Sequence, residues 1–164
     1  MKKILSGLML FFVAISLTAC SSTIGVTDIN GNEKISFAVN ETAVYENVYY
    51  TVTNVKYSNG DDWDTPASGN HYVIVTLKIE NKSDSKISYN ALDWQMINSL
   101  GQEDSEAFTT IDTDTNLSSG DLAPNGTKTG TLVFEQPKND TSLKLLYYSN
   151  ILFDEESTFE IVIK

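Results

Sequence analysis

Arginine is absent from this sequence; all 11 of its cations are lysines. Lysine lacks the planar fork that grips phosphate or carboxylate in two places, so a built anion site has little to work with. Acids outnumber bases by 22 to 11, and a surface of that sign repels nucleic acid. One cysteine and one histidine, Cys20 and His71, exclude an intramolecular disulfide, a cysteine zinc cage and a histidine-rich metal triad. Neither a Gly-x-Ser-x-Gly elbow nor a phosphate-cradling glycine loop occurs, so His71 at the start of a strand reads as a capping or packing residue rather than the base of a triad. No cofactor and no enzymatic activity are expected on these grounds.

Long apolar runs are also missing. The longest, residues 4–17, is 14 residues and falls short of the roughly 20 needed to span a bilayer. It follows Met1, Lys2 and Lys3 and ends in Leu17, Thr18, Ala19, Cys20, which is the layout of a signal peptide's basic start and apolar centre. The closing tetrapeptide resembles the lipobox of bacterial lipoproteins, in which lipid is attached to the cysteine thiol and the chain is cut just before it. Residues 1–19 are therefore expected to be a signal peptide, with Cys20 the lipidated first residue of the mature chain. A diacylglyceryl group supplies two acyl chains, and two anchors are what stable membrane attachment generally takes. The partner implied first is thus the membrane itself, on its extracytoplasmic face. The mature chain then carries nine lysines against 22 acids, a formal charge of −13.

What remains is long enough for one domain, and 41% hydrophobic residues are enough for a core. Residues 20–34 are rich in Ser, Thr, Gly, Asn and Asp and read as a lipidated N-terminus and flexible tether. Residues 35–164 read as the folded domain, in which alternation at period two dominates. Val73, Val75, Leu77 and Ile79 point to one side of a strand while Tyr72, Ile74, Thr76, Lys78 and Glu80 point to a mostly wet other side. Between Val48 and Tyr57 the apolar frame slips by one residue, which predicts a β-bulge near Thr53 or Asn54. Further strands follow at Leu92, Trp94 and Met96; at Leu132 and Phe134; at Leu143, Leu145 and Tyr147; and at Phe159, Ile161 and Ile163. Turn residues fall between them. The pattern predicts an all-β fold, an antiparallel β-sandwich.

The order of landmarks resembles the DUF4352 family of bacterial lipoprotein and secreted domains. Pro66 and Gly69 precede the strand HYVIVTLKIENKS, which closes at Asn81, Lys82 and Ser83; DWQMINSLGQ follows as an apolar strand and glycine turn. Then Leu122, Ala123, Pro124, Asn125 and Gly126 lead into GTLVFEQP, with Gly130, Val133, Phe134 and Pro137 at the family's glycine, apolar and proline positions. The similarity runs from about Val48 to Tyr148. It departs at Asn125, where the family often has Pro-Gly, a change expected to alter only turn geometry. The resemblance implies an immunoglobulin-like, telokin-like sandwich and an extracytoplasmic location, and it carries no reaction. With lysine as the only cation, it also leans towards a Gram-positive bacterium.

Two acidic stretches and one aromatic complete the candidates. Asp61, Asp62 and Asp64 surround Trp63; such a loop could offer oxygens to calcium, though a solvated acidic turn is the favoured reading. Asp112 and Asp114 imitate the start of an EF-hand loop, but Leu117 replaces the glycine and Ala123 the closing glutamate, which removes the EF-hand reading and leaves a looser calcium site. Trp63, alone among the aromatic candidates, falls in a predicted loop and is the candidate partner contact. Asn81 and Asn125 begin Asn-x-Ser/Thr sequons that read as turn residues. The leading function is therefore a non-catalytic binding or structural module facing another envelope protein, with a small-ligand or calcium-binding lipoprotein as the alternative.

Overall fold

The computed structural model describes residues 25–164. The strand anticipated from Val73 to Ile79 is the centre of the fold: β4 (Asn70–Asn81) lies between β3 (Val48–Ser58) and β9 (Thr127–Pro137), both antiparallel to it. With the short β2 (Thr42–Tyr45) on the far side of β3 they form one four-stranded sheet. The bulge is where the frame slip requires it, since pairing of β3 with β4 shifts between Val52 and Asn54 and leaves Thr53 without a partner residue.

The second sheet runs β1 (Ser36–Ala38), β11 (Phe159–Val162), β10 (Lys144–Tyr147), β6 (Trp94–Ile97) and β7 (Glu103–Asp104). β5 (Ile87–Asn90) and β8 (Ser119–Leu122) pair as a separate antiparallel ribbon. The inner faces of the sheets meet in a single core. Val52, Val75, Leu77, Leu132 and Phe134 come from one side and Trp94, Met96, Leu145, Phe159 and Ile161 from the other, all essentially inaccessible to water. Tyr50, Trp94, Tyr147 and Phe159 touch one another with ring centroids 4.8–5.9 Å apart, contacts that each add about 0.5–1.5 kcal/mol beyond area burial. The chain is thus an all-β, immunoglobulin-like sandwich. Among the described residues no helix is long and apolar enough to cross a membrane.

Three expectations need correction. The ordered domain begins before residue 35: Thr27 and Val44 exchange backbone hydrogen bonds of 2.8 and 3.0 Å, and Val26 is buried. The polar stretch taken for tether contains a tight turn in which Asp28 Oδ1 accepts from the Asn30 and Asn32 amides and Gly31 sits at φ +84°. The same composition serves a flexible linker or a hairpin, and here Asn-Gly turn chemistry decides.

The antiparallel sandwich carries one parallel pairing at its edge, β1 with β11. Leu92 is exposed rather than a strand residue: the Asn90 side chain accepts from its amide and bends residues 91–93 into a 3-10 turn, so the strand starts at Trp94. Finally, the outer face of β4 is only partly wet. Tyr72 and Ile74 are buried with Val133 of β9 beneath Ala107 and Ile111, which belong to a loop that crosses that face.

Asn81 closes β4 as a fully buried hub. Its amide donates to the Ser85 and Leu122 carbonyls at 2.7 and 3.0 Å, and its Oδ1 accepts from the Ser83 amide and hydroxyl. A residue read as a turn former is also the tie between two turns and the β5–β8 ribbon. Asn125, in the neighbouring turn, takes the left-handed conformation at φ +65°, which asparagine tolerates better than most residues.

Candidate functional site

The loop of residues 59–69 joins β3 to β4. It folds back on itself because Asp61 Oδ1 accepts from the Trp63 and Asp64 amides at 2.8 and 2.9 Å, while the Asp61 amide donates to the Asp64 carbonyl. Gly60 is required at its start: φ is +82°, and a Cβ there would meet the Asp64 carbonyl oxygen at 2.1 Å. With the turn closed this way, Trp63 projects into solvent, 94% exposed.

Asp64 then ties this loop to the one that crosses the outer face. Its Oδ1 accepts from the Tyr72 hydroxyl at 2.6 Å, and its Oδ2 accepts from the Thr109 hydroxyl at 2.7 Å and from the Thr110 amide and hydroxyl. The Thr109 hydroxyl, followed by Tyr72 and Thr110, holds this carboxyl well below the usual carboxylate range. The same bond pushes the Tyr72 phenol up. Phe108 precedes Thr109 and is fully exposed. Two uncovered aromatic rings, Trp63 and Phe108, therefore stand on loops joined through one carboxylate.

Phe108 also borders a depression of about 460 Å³ whose polar lining includes Asn70, Asn98, Gln102, Asp104 and Glu135. Glu135 accepts there from the Ala67 amide and the Asn70 side chain, and Asp104 from Gln136 Nε2. His71 lies nearby on β4 with its ring 4.8 Å from that of Tyr57. Burial, with Lys164 and Lys138 beyond it, pushes the imidazole below its ordinary value, and Nε2 is buried without a hydrogen-bond partner. The packing role expected of this histidine fits that environment.

Asp112 and Asp114 are elsewhere. Asp112 caps a 3-10 turn, Thr113–Thr115, and Asp114 lies within it; both line, together with Lys56 and Lys128, a shallow groove of about 390 Å³ on the outer face of the first sheet. Asp112 is held at φ +54°, a conformation few non-glycine residues adopt. Among the described residues no three His, Cys, Asp or Glu side chains gather at metal-binding range. Both carboxylate oxygens of Asp64 and the Oδ1 of Asp61 are engaged by loop donors, and Asp112 and Asp114 line a separate groove with Lys56 and Lys128. Cys20 and the rest of the lipobox, Leu17, Thr18 and Ala19, lie outside the described residues.

Phe108 was missed by reasoning from sequence because it sits in a polar stretch with no periodicity. The signal that could have found it is the absence of any strand for a lone aromatic to serve.

The family profile for a domain of unknown function, DUF4352, matches residues 37–158. The chain belongs to the DUF4352 family. None of the curated proteins compared with it matches. Among solved structures, yjhA of Bacillus subtilis is 20% identical with a TM-score of 0.59 over 78% of this chain and 99% of its own. A conserved hypothetical protein of Bacillus anthracis is 13% identical with a TM-score of 0.55, covering 87% of this chain and 100% of its own. The lipoprotein candidate ycdA of Bacillus subtilis is 13% identical with a TM-score of 0.59 over 74% of this chain, and this chain spans 37% of ycdA. At such identities the likeness is one of fold. Within the matched span, Gly130 lies where a Cβ would come within 2.5 Å of the Leu117 backbone, so the close approach of that segment to β9 needs a glycine.

Proposed function

We propose that this DUF4352 protein is a lipid-anchored lipoprotein on the extracytoplasmic face of the membrane of a Gram-positive bacterium, and that its sandwich is a non-catalytic binding or structural module of the cell envelope. The observation that carries the reading is Cys20, the only cysteine, at the end of an apolar run too short to span a bilayer and within Leu-Thr-Ala-Cys. The likeness in fold to a lipoprotein candidate supports it.

The test is Cys20→Ser in intact cells. Wild type should incorporate labelled palmitate and sediment with membranes, and the variant should do neither. A wild type that never labels would remove the reading.

The groove between Lys56, Lys128, Asp112 and Asp114 favours a second reading, a small zwitterionic ligand whose carboxylate meets the lysines and whose ammonium meets the aspartates. Thermal melts with amino acids and dipeptides test it, because a ligand bound only by the folded state raises the melting temperature. Calorimetry with calcium tests the metal alternative in the same way.

A further inference from the structure

The domain has two chemically different ends. The chain enters beside the turn of Glu46 and Asn47, since Thr27 is paired to Val44 and Lys82 donates to the Asn47 carbonyl there. Trp63 and Phe108 belong to the other end of the same sheet, beyond Ser58 and Tyr72. β3 connects the two with 11 residues, roughly 33 Å of extended chain. If Cys20 is lipidated, the aromatic pair faces away from the bilayer.

We propose that this outer end is a docking surface for a lysine- or arginine-bearing segment of another protein, with Trp63 and Phe108 as its aromatic contacts. The proposal rests on the binding-module reading and gives the partner its chemistry. Aromatic faces and carboxylates favour the same guest, an organic cation on an apolar stem. Both occur here together. Asp61 and Asp62 immediately precede Trp63, and Asp104 and Glu135 line the depression beside Phe108.

No lysine occurs between Lys86 and Lys128, or between Lys56 and Lys78, so both loops are free of competing cations. Lys138, on the turn that donates to the Gly69 carbonyl, and Lys164, which with it acts on His71, are the exceptions at this end. The ring positions are also restrained: the Asp64 bonds to Thr109, Thr110 and Tyr72 fix the two loops before a partner arrives, which lowers the ordering cost of binding. An anionic bilayer or a phosphate polymer would meet like charge on this surface.

The experiment uses the full chain in non-ionic detergent and the fluorescence of Trp63, because the second tryptophan, Trp94, is buried. A short lysine-and-leucine peptide is the probe, with the same peptide carrying glutamate for lysine as its control. The lysine peptide should shift Trp63 emission saturably and the control should not. Phe108→Ser and Asp62→Lys should each weaken binding at least fivefold, Trp63→Ser should do so by calorimetry, and all three should keep the wild-type melting temperature. Raising salt should weaken the wild-type complex.

No saturable shift at millimolar peptide overturns the proposal, as does equal binding by wild type and the variants. It also falls if anionic vesicles or cell-wall oligosaccharides perturb Trp63 and the peptide does not. Palmitate labelling of Cys20 is scored separately, so the anchor reading can survive failure here.

Discussion

The two tryptophans are the clearest contrast in the molecule. Trp94 is 1% exposed and packs against Tyr50, Tyr147 and Phe159 from both sheets. Trp63, 94% exposed, stands on a loop held by carboxylate hydrogen bonds. One region is stable because apolar surface is removed from water, and its energy falls off only with packing defects. The other keeps its shape through a few polar bonds, and its aromatic surface is left free. A stability scan should see the first and pass over the second.

The largest effect expected from breaking this contrast is at Trp94. Trp94→Ala should destabilise by about 3–5 kcal/mol through cavity formation, whereas Trp63→Ala should stay within about 0.5 kcal/mol; chemical denaturation of the pair measures both. A large loss at Trp63 would mean that its ring packs after all. Next comes Gly130→Ala, which places a methyl against the Leu117 backbone and should cost about 1–3 kcal/mol by overpacking.

Asn81→Ala is expected to cost a similar 1–3 kcal/mol or so, because it strands the buried Leu122 carbonyl and frees the turn at Ser83. Its melting temperature should fall while the fluorescence of both tryptophans stays native.

The smallest effect is local and depends on pH. The Asp64 carboxyl is held below its ordinary value by the Thr109, Tyr72 and Thr110 donors. A depressed folded value means that the loop tie is fully present above the unfolded carboxylate's value of about 4 and is lost as pH falls from there into strong acid. Protection of the Thr110 and Ile111 amides from hydrogen exchange, taken relative to the intrinsic rate at each pH, should fall over that window in wild type. In Asp64→Asn the protection should be lower at neutral pH and flat with acid. Equal, pH-independent protection in both proteins would show that the tie does not hold the loops.

The regions also differ in how much of them could be read from sequence. Val73, Val75, Leu77 and Ile79 declare the inner face because a strand places alternate side chains on one side, and the slip between Val52 and Val55 declares the bulge. Leu92 breaks the same rule because an Asn90 side chain bond, not hydrophobicity, sets the local bend. The residues around Asp28 looked like a linker since composition does not distinguish a solvated coil from a closed Asn-Gly turn. Trp63 stood out as a loop aromatic, but Phe108 did not, because the bond that ties its loop to that of Trp63 joins residues 45 positions apart.

By itself the sequence determined the β class, the inner face of each long strand, the bulge and the presence of a lipobox-like tetrapeptide, since each is written in neighbouring residues through period, turn chemistry or motif. Only the tertiary structure decided which loops meet, that the outer face of β4 is covered at Tyr72 and Ile74, that Asp112 and Asp114 line a groove with Lys56 and Lys128 and do not join Asp61 and Asp64, and that two aromatic rings share one end. Those outcomes depend on contacts between distant segments, whose closure entropy is offset only once both sheets have packed.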